Sequence, residues 1–128
     1  MYLDYSGIRV RDLPRAERFY KEGLGLDELR RGTTDHGGVW VLLEDRVSHQ
    51  HLELNWYPAG SKYDAPYSVG EAHDHLGFRT PDVTAATTRL IEHGGKLVEK
   101  WEENGVVEIA YLTDPDGLWI ELIRTPAD

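Results

Sequence analysis

Two short stretches, HQHLELNW at residues 49–56 and WIELIR at residues 119–124, put carboxylates where they could do chemistry. Side chains alternate across a strand, so Leu52, Leu54 and Trp56 share one face and His49, His51, Glu53 and Asn55 the other. A single carboxylate on such a face is ordinarily just solvated. Glu53 and Glu121, however, hold matching places in a repeat. His51-Leu-Glu53-Leu aligns with Trp119-Ile-Glu121-Leu at an offset of 68, Asp12 with Asp82 at 70, and Gly23 with Gly94 at 71. Tyr5 and His75 each stand seven residues before those aspartates, and each is followed four residues later by an arginine, Arg9 or Arg79. A pseudo-twofold axis would gather one His, two Glu and one Tyr around a single cavity. Those hard donors suit a divalent cation such as Ni, Zn, Mn, Fe, Co or Mg. Without a cation, packed carboxylates would repel and one would titrate upward.

The elements that must hold these residues follow the same repeat. Tyr5–Arg11 reads as a strand, and a helix follows with Asp12 as N-cap, Pro14 in its first turn and Gly23 as its stop. Leu26–Thr34, Val39–Glu44 and residues 49–56 are expected strands. The second half repeats this order. Asp74–Thr80 is a strand, Asp82 caps a helix ending at Gly94-Gly95, and Lys96–Trp101, Val107–Thr113 and Leu118–Arg124 are strands. Asn104-Gly105 and Asp114-Pro-Asp-Gly117 are turn signals, the second delivering Glu121. The chain is therefore expected to be a single α+β domain, residues 1–128, of two β-α-β-β-β modules forming a cupped, partly closed mixed β-barrel. Module one spans about residues 1–56 and module two about 74–128. The segment between them, residues 57–73, has three tyrosines and two prolines and is read as a lid or pocket wall.

Composition narrows the classes. The chain has 128 residues, 40% apolar and 29% charged, and a net charge of −9, which argues against nucleic acid or an anionic membrane as partner. There is no cysteine, so a metal would fall to His and carboxylate ligands. With no apolar signal or membrane-spanning stretch in the sequence, a cytoplasmic protein is expected. Unpaired sheet edges favour a homodimer.

The stretches GIRVRDLPRAERFYKEGLGL, HLELNW, HLGFRTPDVTAATTRLIEHGGK and AYLTDPDGLWIELI, in that order and spacing, resemble the vicinal oxygen chelate superfamily, which includes glyoxalases, bleomycin-resistance proteins and extradiol dioxygenases. More narrowly they resemble glyoxalase I-like (lactoylglutathione lyase-like) members. The resemblance implies four metal positions, one on the first and one on the last strand of each module. By motif these fall on His75 and Glu121 in the second module and Glu53 in the first. The fourth position, ordinarily a histidine, is Tyr5. Three accounts of it stand open. Tyrosinate is the fourth ligand, or His51 on the strand of Glu53 replaces it, or three protein ligands leave the remaining positions to water while Tyr5 lines the pocket.

The implied activity is that of a glyoxalase or isomerase acting on a small substrate with adjacent oxygens through a metal-stabilised enediolate, with Glu121 or Glu53 moving the proton. Arg9 falls where a substrate carboxylate would bind, and Arg79 is a weaker candidate. Trp119 shares the face of Glu121 and is a possible cavity wall. His49, His36, His73 and His93 are expected at the surface. Two other functions compete: an Fe(II) extradiol dioxygenase, which needs two His and one carboxylate, and a metal-free drug-binding protein whose acidic cleft takes a cationic drug.

Overall fold

The computed structural model describes residues 4–61, 64–68, 71, 73 and 75–126. Asp74, the expected first residue of a strand, and Lys62, Tyr63, Val69, Gly70 and Ala72 of the connecting segment lie outside the described residues. The chain divides into two compact units, Met1–Pro66 and Tyr67–Asp128, and the break falls inside that connecting segment.

The first unit runs β1 (Ser6–Arg9), α1 (Leu13–Glu17), a π-helical turn (Arg18–Gly23), β2 (Asp27–Thr33), β3 (Val39–Glu44) and β4 (His51–Trp56). Its sheet has the order β1-β4-β3-β2, with β1 parallel to β4 and the other pairs antiparallel. Asp12 caps α1 by accepting the Arg15 N–H at 3.0 Å, and Pro14 sits in the first turn, where its missing donor costs nothing. Where one α-helix to Gly23 was expected, the winding widens after Glu17. The Leu24 N–H reaches back five residues to the Phe19 carbonyl at 3.0 Å. That stretch turns Phe19 and Tyr20, both fully buried and in edge contact at 5.1 Å, into the core. They close it with Ile8, Val10, Val41, Leu43, Leu52 and Leu54, the odd-even partners of the polar face. Each such burial contributes roughly 1.5–3 kcal/mol.

The second unit runs β5 (His75–Thr80), α2 (Val83–Glu92), β6 (Lys96–Glu103), β7 (Val106–Thr113) and β8 (Trp119–Arg124), in sheet order β5-β8-β7-β6. Asp82 caps α2 by accepting the Ala85 N–H at 2.9 Å, and Gly94 leaves the helix at φ +97°, a conformation that favours glycine. Val83 and Leu90 of α2 are buried with Ala110, Leu112, Ile120 and Leu122 of the sheet. Asn104 and Gly105 both take positive φ, the pattern of a type I′ hairpin turn, which draws Glu102 and Glu103 into β6 beyond its expected end. None of the eight residues of β6 is buried, and its pairing with β7 is broken by two register shifts. The expected α+β fold of two β-α-β-β-β modules is the one the chain adopts.

The turns that deliver the two last strands differ by one residue. Asp114 is buried, and its carboxylate accepts the N–H groups of Asp116 at 2.9 Å and Leu118 at 2.7 Å, while Gly117 takes φ 92°. In the first unit Asp45 accepts from Val47 and Ser48, both at 2.9 Å, and the left-handed position is filled by His49 at φ 58°. The extra residue lowers the repeat offset by one, from 69 between Glu44 and Thr113 to 68 between His51 and Trp119.

Candidate functional site

In each unit the register shows which residues share the sheet face of the central glutamate. In the second unit β5 lies parallel to β8 with Gly77 opposite Glu121, and β7 places Tyr111 on the other side of Glu121. His75 is two residues before Gly77, so its ring points to the same face. Its Nε2 lies 3.1 Å from Glu121 Oε2. The Glu121 side chain is 15% exposed and His75 35%, a half-buried imidazole–carboxylate pair on adjacent strands.

The first unit repeats the backbone plan with different side chains. Gly7 is opposite Glu53, and Leu42 of β3 flanks it. Glu53 is half-buried, and among the described residues its carboxylate has no hydrogen-bond or ion-pair partner. Tyr5, at the position matching His75, is 44% exposed and lies just before β1. Its ring edge comes within 3.9 Å of where a Cβ on Gly7 would be. His51 is in register with Glu44, and its Nε2 lies 2.9 Å from Glu44 Oε2. His49 Nδ1 stands 3.6 Å from the other oxygen of the same carboxylate. The His51 hydrogen bond, more than His49, holds Glu44 below the usual carboxylate range. In this arrangement His51 is spent on Glu44 rather than turned to Glu53.

Arg9 is turned toward the connecting segment. Its Nη1 donates to the Ala65 carbonyl at 2.6 Å, Nη2 stands 3.9 Å from Asp64, and the guanidinium lies 5.4 Å from the Tyr57 ring centre. The connecting segment is thus fastened to β1 through Tyr57, Asp64 and Ala65. Arg79 is exposed and donates to the Arg124 carbonyl at 3.4 Å. Trp119 is 40% exposed and in contact with Tyr111 at 5.9 Å between ring centres.

Glu44, Tyr111 and Trp101 escaped the sequence reading. The hairpin turns carry the missing signal: closing β3–β4 at Asp45–Gln50 sets Glu44 opposite His51, and closing β7–β8 at Asp114–Leu118 sets Tyr111 opposite Glu121.

The donor set suits a divalent cation in part. The second unit supplies an imidazole nitrogen and a carboxylate oxygen 3.1 Å apart, close to the ~3.3 Å edge between two ligands at about 2.0 Å in a tetrahedral site. Among the described residues no three His, Asp or Glu side chains already stand around one point.

Comparison with known proteins agrees with this plan. The family model of the Glyoxalase/Bleomycin resistance protein/Dioxygenase superfamily matches residues 2–122. A probable lactoylglutathione lyase from Synechocystis sp. is 30% identical over 98% of this chain and 96% of its own. The trypanothione-dependent glyoxalase I of Leishmania major is 28% identical with a TM-score of 0.77, covering 97% of this chain and 86% of that one. An antibiotic-binding protein from Streptomyces sp. is 27% identical with a TM-score of 0.69, covering 98% and 97%. No helix is long and apolar enough to cross a membrane among the described residues. With its family model matched almost end to end, the chain belongs to the Glyoxalase/Bleomycin resistance protein/Dioxygenase superfamily, among glyoxalase I-like members.

Proposed function

We propose that the protein is a glyoxalase-type isomerising lyase that converts the hemithioacetal of a 2-oxoaldehyde and a thiol into a hydroxyacyl thioester. The observation that carries the reading is the pairing of His75 with Glu121 at 3.1 Å, combined with a Glu53 at the repeat-related position that has no side-chain partner among the described residues. An imidazole and two carboxylates from matching strands are the donors a divalent cation takes. His75, Glu121 and Glu53 would hold that ion. When bound, it supplies Lewis-acid polarisation of two adjacent substrate oxygens. One glutamate then accepts the proton from the sulfur-bearing carbon and returns it to the neighbouring carbon, so the reaction is balanced without an external oxidant or reductant. Relatives named lactoylglutathione lyase support this reaction type. A two-histidine dioxygenase set is less favoured, because the Nε2 of His51 is already held by Glu44 at 2.9 Å.

Elemental analysis of protein purified without a chelating tag, before and after reconstitution, tests the ion directly. About one equivalent is expected in the wild type and much less in Glu121→Ala. Thioester formation from methylglyoxal pre-equilibrated with glutathione tests the reaction. A reconstituted protein that binds no metal, or that binds one and forms no thioester, overturns this function.

A further inference from the structure

The open face of the second sheet carries more than the His75–Glu121 pair. Tyr111, flanking Glu121 on β7, is the hub of three ring contacts: His75 at 6.1 Å, Trp101 at 5.6 Å and Trp119 at 5.9 Å between centres. The planes meet at 87°, 78° and 60°, so edges meet faces and no ring is sealed into a parallel stack. Trp101 and Trp119 remain 46% and 40% exposed. Large rings left open beside a half-buried imidazole–carboxylate pair are uncommon on a surface that has no use for them.

The repeat supplies an internal control. The first-unit positions that match Tyr111, Trp119 and Trp101 in register are Leu42, His51 and Gly32. There the one nearby indole, Trp40, lies on Gly32, so close that an added Cβ would come within 2.5 Å of its ring. The first unit therefore forms its sheet with none of those three positions aromatic and with a single indole, Trp40, laid over Gly32, whereas the second leaves three large rings in contact beside its glutamate.

We infer that Trp119, Trp101 and Tyr111 form a wall that selects the substituent on the substrate carbonyl, favouring a flat, uncharged aryl group over a methyl group. This rests on the glyoxalase-type reading above and names the substrate class of that site. A ring entering beside Glu121 meets exposed aromatic edges and faces at the separations such pairs prefer. The carboxylates of Glu121 and of Glu99, which is opposite Tyr111, disfavour an anionic group there.

The test compares phenylglyoxal with methylglyoxal, each pre-equilibrated with glutathione, on the metal-reconstituted protein. A kcat/KM at least tenfold higher for the phenyl adduct is expected. The ratio should fall toward one in Trp119→Leu and in Trp101→Leu, and recover in Trp119→Phe. Calorimetric binding of mandelate against lactate gives a readout without turnover, with mandelate at least tenfold tighter and the difference lost in Trp119→Leu. Equal turnover of both adducts together with equal binding of both acids overturns aryl selection and leaves the glyoxalase reading standing. No turnover of either adduct, with mandelate still the tighter ligand, overturns the reaction while supporting the ring-selective wall.

Discussion

In the first module the sheet face around Glu53 carries Leu42, Trp40 and a His51 held by Glu44; in the second, the matching face holds His75, Glu121 and a cluster of three large aromatic rings. Behind both faces the construction is alike: an aspartate caps the helix, a glycine sits opposite the central glutamate, and alternate leucines or isoleucines fill the core. The difference teaches which parts of a duplicated module are required by folding and which are free to specialise. Leu54 and Leu122 are both fully buried because both modules need them. Trp119 and His51 share a position and almost no chemistry, so that position answers to the ligand.

The sharpest way to break the comparison is at the two glutamates. Glu121→Gln should lower kcat/KM by ~10²–10⁴-fold, in the range for loss of a proton-moving group, and Glu53→Gln should do the same if the modules share one ion. Rates measured on metal-reconstituted variants decide it. An unaffected Glu53→Gln would mean that the second module works alone. Next in size are the cores. Leu54→Ala and Leu122→Ala should each cost about 2–5 kcal/mol by denaturant unfolding, and similar costs would confirm matching packing. The helix caps come third, with Asp12→Ala and Asp82→Ala each costing about 0.5–2 kcal/mol. The wide π turn behind α1 makes Asp12 the more informative of the two.

A surface cluster found only in the first module sharpens the comparison through pH. Hydrogen bonds from Arg31 and then Lys21 hold the Glu28 carboxyl at about 2, against its ordinary 4.5. A carboxylate whose folded value is depressed adds stability that is present in full above 4.5 and lost as pH falls toward 2. Glu28 is largely solvated, so screening should keep its share below about 1 kcal/mol. In Glu28→Gln that share, up to about 1 kcal/mol, should be missing at neutral pH and the difference from wild type should vanish toward pH 2, so the acid-unfolding curve is shallower across that interval. The smallest effect is expected at the longer of the two turns. His49→Gly places glycine where Gly117 stands in the other module, and should be neutral or stabilising by up to about 1 kcal/mol. Gly117→Ala should destabilise.

Much of this fold is written in period and punctuation. Val39–Glu44 has the bounds its alternation predicts, and both aspartate caps do what their types allow. Boundaries move where turn chemistry decides them. Asn104-Gly105 extends β6 by two residues, while β1 ends at Arg9 because the chain must turn at Arg11 to begin α1 at Leu13. The π winding of Arg18–Gly23 has no marker in residue type, since Phe19 and Tyr20 would suit either helix. The site was legible as positions rather than as partners. Period two puts Glu53 and His51 on one face, but a cross-strand glutamate, set by the hairpin register, claims the imidazole. Arg9 was read as a contact for a substrate carboxylate, and spacing gave no sign that its long side chain also donates to a backbone carbonyl 56 residues away. Such pairings depend on side-chain reach after folding, which spacing along the chain does not encode.

Strand β6 has a consequence for how the chain behaves before it is fully folded and when crowded. It borders its sheet with no residue buried, and an unprotected border of that length invites a stray strand from another molecule. Lys96, Glu99, Lys100, Glu102 and Glu103 interrupt Leu97, Val98 and Trp101, and the two register shifts bend the ladder that an incoming strand would have to match. The charges thus act as gatekeepers against amyloid-like stacking, and exchanging Glu99 and Lys100 for valines would create an eight-residue aggregation seed out of an otherwise quiet edge.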